Sequence, residues 1–172
     1  MKLYLLRHGE AVERGDPRYP DDAARPLTAR GHKRTRQLAN ALERWGVSFD
    51  VILSSPLIRA RQTAEIVARR LKLEKRLRLT EALSPEGAYG DLVAQLERLR
   101  PRPEAVLLVG HEPHLSGLIS LLCTGGPGLA VQLKKGGLCR LEVESLKAGR
   151  CATLEWLLSP RHGAPRGKRA KR

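Results

Sequence analysis

The chain has 172 residues, of which 41% are hydrophobic and only 3% aromatic, and its formal net charge is +14. A chain of this length buries roughly two thirds of its unfolded surface, so one core of aliphatic side chains is enough. The three cysteines lack metal-like spacing and no run approaches the roughly 20 apolar residues of a membrane span, so we expect a soluble cytoplasmic protein without disulfides or membrane association.

Before residue 130, strand-like segments alternate with helix-like ones, which predicts a βαβ series. Thr28 is the expected N-cap of the first helix, on whose apolar face Trp45 falls together with Leu38. Ser55 is the expected N-cap of the second helix, because Pro56 at the first helical position has no N–H to lose. The predicted strands cover 3–6, 50–54, 76–80 and 105–109, and the predicted helices cover 29–45, 56–71, 89–99 and a segment that begins at Pro113.

Beyond residue 130 the pattern changes to two runs with alternating polarity, at 138–143 and 152–158. They predict an antiparallel hairpin added to the parallel sheet. The expected domain therefore covers residues 1–160. Residues 161–172 carry six positive charges, no acidic residue and almost no apolar side chains, so we expect a disordered, solvated tail and not a dedicated nucleic-acid arm.

Two of the predicted strands end on a histidine next to glycine. The first leads into Arg7-His8-Gly9 and another into Gly110-His111, while Arg59 follows the strand at 50–54. Ligands of open α/β sheets bind at the carboxyl ends of parallel strands, so these side chains should face one crevice. The guanidinium group matches phosphate oxygens, and Arg59 should lie in the first turn of its helix, where free N–H groups favour an anion. The pattern indicates a phosphate site.

Within such a site, His8 is the expected nucleophile. The nearby charges of Arg7, Arg59 and His111 disfavour its protonated form, which keeps a ring nitrogen available near neutral pH. Attack on phosphorus would give a phosphohistidine that water then cleaves. His111 would donate a hydrogen bond to the phosphoryl oxygens, and Gly9 would leave room for the phosphoryl group beside the imidazole.

Several other residues allow alternative interpretations. Ser54 and Ser55 are not surrounded by a Gly-x-Ser-x-Gly elbow, and capping accounts for Ser55. His114 either lines the pocket or only begins a helix, and we expect His32 and His162 to be solvated. A metal site is also conceivable, although Arg7 and Arg59 would repel a cation. Its ligands would come from His8, His111, His114, Glu10 and Glu112.

Four motifs in order resemble the signature of the histidine phosphatase (phosphoglycerate mutase-like) superfamily. They are Leu6-Arg7-His8-Gly9-Glu10, Leu27-Thr28 with Gly31, Ser54-Ser55-Pro56-Leu57-x-Arg59-Ala60-x-Gln62-Thr63-Ala64, and Gly110-His111. The resemblance covers about the first 125 residues. It implies a three-layer α/β/α sandwich, a phosphorylated His8, a phosphate pocket made of Arg7, Arg59 and His111, and neither metal nor other cofactor.

Within this superfamily the chain is most similar to the phosphohistidine phosphatases of the SixA type. Mutases and sugar-phosphate phosphatases of the family usually carry an insertion with an acidic proton donor after the third strand, and here residues 80–90 are short. Glu81 is the nearest candidate donor, followed by Glu86. An imidazole leaving group, with a pKa near 6.5, departs far more readily than an alkoxide and has less need of a donor.

The leading hypothesis is therefore a monomeric, metal-independent phosphatase that acts on phosphohistidine in a protein, such as a histidine-containing phosphotransfer domain. A second hypothesis keeps the pocket but makes the substrate a small phosphomonoester such as a sugar phosphate. A third is a protein that binds nucleic acid or another polyanion through its basic surface. No aromatic residues accompany the basic runs, which makes specific nucleic-acid binding the least favoured of the three.

Overall fold

The computed structural model describes residues 1–146 and 149–160. Within these residues, one six-stranded sheet is combined with four α-helices, and short 3-10 helices occupy some of the connections. The strands are β1 (Lys2–Arg7), β2 (Val51–Ser54), β3 (Leu77–Leu79), β4 (Ala105–Gly110), β5 (Leu138–Val143) and β6 (Ala152–Leu158). The helices are α1 (Ala29–Arg44), α2 (Ile58–Leu71), α3 (Tyr89–Glu97) and α4 (His114–Thr124).

The sheet has the strand order β3-β2-β4-β1-β5-β6. The first four strands in this order are parallel, and β5 pairs antiparallel with both β1 and β6. The predicted C-terminal hairpin is thus confirmed. Arg7 of β1 lies opposite Gly110 of β4, and Ser54 of β2 lies opposite Val109. This register brings the residues that follow β1, β2 and β4 to the same edge of the sheet.

Alternate residues of the central strands point into two separate cores. On one face Leu6, Ile52 and Leu107 pack with apolar residues of α1 and α2. On the other face Leu5 and Leu108 pack with apolar residues of α3 and α4. Both faces of a parallel sheet must be covered, and two helices on each side achieve this. The three-layer α/β/α sandwich is confirmed.

The start of α1 is held against the segment that follows β1. Thr28 caps the helix as predicted, since its Oγ1 accepts the N–H of Gly31 at 2.9 Å. A Cβ on Gly31 would lie only 2.0 Å from the carbonyl oxygen of Glu10, so no side chain fits there. The Thr28 N–H also donates to that Glu10 carbonyl at 2.9 Å. Gly31 therefore allows the start of α1 to approach Glu10 closely, and this contact fixes the segment that follows β1.

Two local predictions are wrong. Helix α2 begins at Ile58, with Leu57 at the cap position, and not behind Ser55. The Ser55 hydroxyl faces His111 and accepts only a long 3.3 Å bond from the N–H of Leu57, so it does not start the helix. Trp45 is 50% exposed, because it lies at the C-cap of α1, where the helix ends and no longer covers the sheet.

Two predicted features, the C-terminal tail and the hairpin connection, lie wholly or partly outside the described residues. The tail at 161–172 and residues 147 and 148 of the hairpin connection lie outside the described residues.

Of the helices in the described part, none has the length and apolar character needed to cross a bilayer.

Candidate active site

His8 and His111 face each other at the carboxyl edge of the sheet. Their ring centroids are 5.1 Å apart and the rings are inclined by 52°. His8 directly follows β1 and His111 directly follows β4, two neighbouring strands whose last residues are paired. Both side chains are buried, with exposed fractions of 6% and 2%. The structure thus brings together the two histidines that the sequence places at strand ends.

The hydrogen bond of His8 defines its tautomer. Its Nδ1 lies 2.7 Å from the carbonyl oxygen of Gly9. A carbonyl oxygen can only accept, so Nδ1 carries the proton and Nε2 keeps its lone pair. Burial lowers the pKa of His8 well below its usual value; the bond to Gly9 opposes this, whereas the charges of His111, Arg59 and Arg7 lower it further. His8 is therefore neutral near pH 7, with a nucleophilic Nε2.

His111 is held by the hydroxyl group of Ser55. The distance from His111 Nε2 to Ser55 Oγ is 2.9 Å. If the Ser55 hydroxyl donates its proton to Nε2, the second ring nitrogen, Nδ1, carries the ring proton. Burial and the charge of Arg59 lower the pKa of His111 to about 3. The Nδ1 atom of His111 is buried and has no hydrogen-bond partner among the described residues.

Two guanidinium groups lie beside the histidines, a half-buried one from Arg7 and a buried one from Arg59. Arg7 donates from Nη1 to the carbonyl oxygen of Leu133 at 2.9 Å. Arg59, 3% exposed, donates from Nη1 to the carbonyl oxygen of Asp22 at 2.7 Å and from Nη2 to its carboxylate at 3.0 Å. The Nε atoms of Arg7 and Arg59 are buried and have no partner in the described part of the chain. Burial lowers the pKa of both arginines, although the charge of Glu112 acts to raise the pKa of Arg7 and the charge of Asp22 acts to raise that of Arg59.

Gly9 contacts both α1 and α2. Its N–H donates to Thr63 Oγ1 at 3.0 Å, and the Thr63 hydroxyl donates to the Arg59 carbonyl oxygen at 2.7 Å. A Cβ on Gly9 would lie 2.7 Å from Thr35 Oγ1 on α1. The space that this glycine provides is therefore needed for packing against α1, and its N–H is engaged with α2. Gly9 thus links the segment after β1 to both helices, and the room that it is expected to leave beside the His8 imidazole remains a prediction.

The two candidate acids on the β3–α3 connection are exposed. Glu81 begins a 3-10 helix, and its carboxylate accepts the Ser84 hydroxyl at 2.7 Å. Glu86 lies on the same connection. A role for Glu81 as proton donor remains a prediction.

The side chains of the conceivable metal site have other partners. Glu10 accepts bonds from Arg30 on α1, and His114 Nε2 lies 2.9 Å from the Gly87 carbonyl oxygen. Glu112 accepts the hydroxyl of Ser116. Among residues 1–146 and 149–160, no group of three or more histidine, cysteine, aspartate or glutamate side chains is arranged to hold a metal ion.

Three residues of the site were not identified from the sequence. The sequence predicts a capping role for Ser55, although its place directly after β2 also puts it at the edge of the sheet. Thr63 is one turn after Arg59, which places both residues on the same side of α2. Asp22 lies in a polar loop, where no periodic pattern indicates which side chain will contact Arg59.

The arrangement is suited to phosphoryl transfer. The neutral imidazole of His8 lies beside the His111 ring and within electrostatic reach of Arg7 and Arg59, and each of these three neighbours has a buried nitrogen without a partner in the described part of the chain. Phosphoryl transfer depends mainly on a positioned nucleophile and on hydrogen-bond donors that stabilise the charge on the equatorial oxygens of the transferred group.

Comparisons with known proteins agree with this chemistry. Residues 3–92 match the family model of the histidine phosphatase superfamily (branch 1). An uncharacterized protein of Picosynechococcus is 43% identical over 142 residues, which cover 82% of this chain and 84% of that protein. Phosphohistidine phosphatase SixA of Escherichia coli (strain K12) is 34% identical over 126 residues, covering 73% and 76% of the two chains. The structure of the protein histidine phosphatase SixA complexed with tungstate matches with a TM-score of 0.80 and 29% identity, covering 94% of this chain and 99% of that one.

Proposed function

Because the chain belongs to the histidine phosphatase superfamily and is a SixA-like phosphatase, we propose that it removes the phosphoryl group from phosphohistidine on a protein. The observation that carries this proposal is the unprotonated Nε2 of His8, buried beside unengaged N–H groups of Arg7, Arg59 and His111. A phosphorylated histidine-containing phosphotransfer domain is the expected type of substrate.

The reaction proceeds in two displacements at phosphorus. In the first, His8 Nε2 forms a bond to phosphorus while the bond to the substrate imidazole nitrogen breaks. In the second, a water oxygen bonds to phosphorus, the bond to His8 breaks, and the proton of the water leaves with phosphate or passes to solvent. Arg7, Arg59 and the Nδ1–H of His111 stabilise the negative charge on the phosphoryl oxygens in both steps. No step requires a metal ion.

The character of the leaving group supports a phosphohistidine substrate. An imidazole that is protonated on its distal nitrogen leaves as a neutral molecule, so it needs no acid from the enzyme. Glu81, the first candidate donor on the connection after β3, is exposed, and its carboxylate accepts the Ser84 hydroxyl. An alkoxide leaving group would depend on such a donor. We expect Glu81 to be dispensable for phosphohistidine and necessary for a phosphomonoester.

The surface charge supports an acidic protein partner. The whole chain has a formal net charge of +14. A strongly positive net charge accelerates encounter with a negatively charged protein.

A substrate panel tests the proposal. The wild type, His8→Ala and Glu81→Gln are each incubated with a phosphorylated histidine-containing phosphotransfer domain, a phosphoramidate and a sugar phosphate, and released phosphate is measured. We expect hydrolysis of the phosphoprotein by the wild type and Glu81→Gln, and none by His8→Ala. His32→Ala is the matched control, because His32 lies on α1 and has no contact with the site.

Other outcomes would contradict the proposal. Rapid hydrolysis of sugar phosphates without action on phosphohistidine, together with loss of activity in Glu81→Gln, would instead support a phosphatase of small esters. Salt-sensitive binding of RNA that is unchanged in His8→Ala, without phosphatase activity, would support a polyanion-binding protein.

A further inference from the structure

Asp22 joins three guanidinium groups next to the site. Its carboxylate accepts bonds from Arg14 Nε at 3.0 Å and from Arg25 Nε at 2.9 Å, and it accepts the Arg59 Nη2 bond. Arg14 is on the surface, with its side chain 82% exposed, whereas the Arg59 side chain is 3% exposed. The carboxylate thus connects a buried pocket arginine to partners in its own loop.

The contacts of Asp22 cover only one edge of the Arg59 guanidinium. Nη1 donates to the main-chain carbonyl oxygen of Asp22 and Nη2 to its carboxylate, so these two contacts use the end-on edge. The adjacent edge, formed by Nε and the second proton of Nη2, is not used by Asp22. Arg59 Nε is buried and has no partner in the parts of the chain that the structure describes. A planar guanidinium held along one edge presents its other edge in a fixed direction.

We propose that Asp22 is a positioning residue, which holds Arg59 so that its Nε edge faces the transferred phosphoryl group. This inference rests on the proposed function, because it needs Arg59 to bind that group. Arg7 has a comparable arrangement, since the Leu133 carbonyl oxygen holds its Nη1 and leaves Nε free. In both cases an acceptor outside the pocket fixes the arginine before substrate arrives, which reduces the reorganisation that the reaction requires.

A rival interpretation is that the Asp22 carboxylate imitates the substrate phosphate and must be displaced. Displacement would break the bonds to Arg14, Arg25 and Arg59, and the contact of the Asp22 carbonyl oxygen with Arg59 would also have to change. The preceding Asp21 further fixes this turn, because its carboxylate accepts the N–H of Ala23 at 2.9 Å. With the Nε edge of Arg59 unused, the phosphoryl group has no need to displace Asp22.

The two interpretations predict opposite effects of substitution. If Asp22 positions Arg59, Asp22→Asn and Asp22→Ala lower kcat for an aryl phosphate about 10- to 100-fold, the loss expected when a catalytic group is displaced by about 1 Å, while KM changes much less. Both variants also bind inorganic phosphate more weakly. If Asp22 imitates phosphate, the variants bind inorganic phosphate more tightly and retain kcat, and this result would overturn the proposal.

A double variant separates positioning from general damage to the structure. Because Asp22 acts through Arg59, adding Asp22→Ala to Arg59→Ala should cause no further loss of kcat. Multiplied losses in the double variant would contradict the proposal. Asp16→Asn is the control: Asp16 is in the same loop and pairs with Arg18, without contact to Arg59, so it should keep the wild-type kcat.

Failure of this inference differs from failure of the proposed function. If Arg59→Ala keeps full activity, the assumed phosphate pocket is wrong. If Arg59→Ala is inactive but the Asp22 variants equal the wild type, only the positioning role is wrong. The side chain of Asp22 is 35% exposed and asparagine has the same shape, so Asp22→Asn should fold, which thermal unfolding verifies.

Discussion

The buried histidines are the residues whose chemistry depends most on the surrounding fold. His8 would be about half protonated near pH 6.5 in an unfolded chain, but burial and the neighbouring cations keep it neutral in the folded one. The Gly9 carbonyl oxygen then selects which nitrogen carries the remaining proton. The environment and not the residue type alone therefore makes this imidazole a nucleophile.

The first prediction concerns the protonation of these imidazoles. Because the pKa of His8 lies well below its usual value and that of His111 is about 3, both should stay neutral when the pH falls from 8 to 5.5. Nitrogen NMR of the imidazole rings measures this directly and should find the proton of His8 on Nδ1. A protonation midpoint of either ring at or above 6.5 would contradict the account.

At the scale of single elements, strand ends position the site and tight helix contacts maintain it. The sequence was sufficient to predict His8, His111 and Arg59 near one another, because apolar runs reveal strands and parallel strands end at one edge. It was insufficient for Asp22 and for the role of Ser55. Loop conformation follows no hydrophobic period, and the same hydroxyl can cap a helix or bind a histidine.

A second prediction compares two helical glycines. Gly31→Ala forces a Cβ against the Glu10 carbonyl oxygen, which is main chain and cannot rotate away, so it should lower the free energy of unfolding by about 1–3 kcal/mol or more. Gly90→Ala in α3 is the control, since no described atom beyond its chain neighbours and the backbone of its own helix lies within 4 Å of the added Cβ. It should be neutral or stabilising by up to about 1 kcal/mol.

Urea denaturation of both variants measures these changes. The Gly31 variant should also lose phosphatase activity, because Glu10 continues the segment that carries His8. Equal stability of the two alanine variants would contradict the prediction, because it would mean that the contact between Gly31 and the Glu10 carbonyl oxygen is not tight.

At the scale of the whole molecule, the site imposes a pH dependence on stability. His8, His111 and His114 are buried and all have lowered pKa values, with burial as the largest cause. As the pH falls below about 6.5, the unfolded chain binds protons at these positions and the folded chain does not, so stability decreases. Arg14, Arg25 and Arg59 outweigh the effect of burial and lower the pKa of Asp22 to about 2, so its contribution is lost only below about pH 4.

The third prediction is therefore a loss of stability between pH 6.5 and 4.5 that originates in the histidines. Each contributes a slope of at most about 1.4 kcal/mol per pH unit. Thermal unfolding at a series of pH values should show the decrease, and His111→Asn should make it less steep. An identical slope in His111→Asn and wild type would contradict the contribution assigned to His111.

The most direct test of the central claim is to trap the covalent intermediate. The reaction with a phosphohistidine protein is stopped within milliseconds in alkali, and the enzyme is digested and analysed by mass spectrometry. The account predicts an acid-labile phosphate on His8 in the wild type, which appears before inorganic phosphate and is absent from His8→Ala. Release of inorganic phosphate with His8 unmodified, or with the phosphate on another residue such as Ser55, would contradict it.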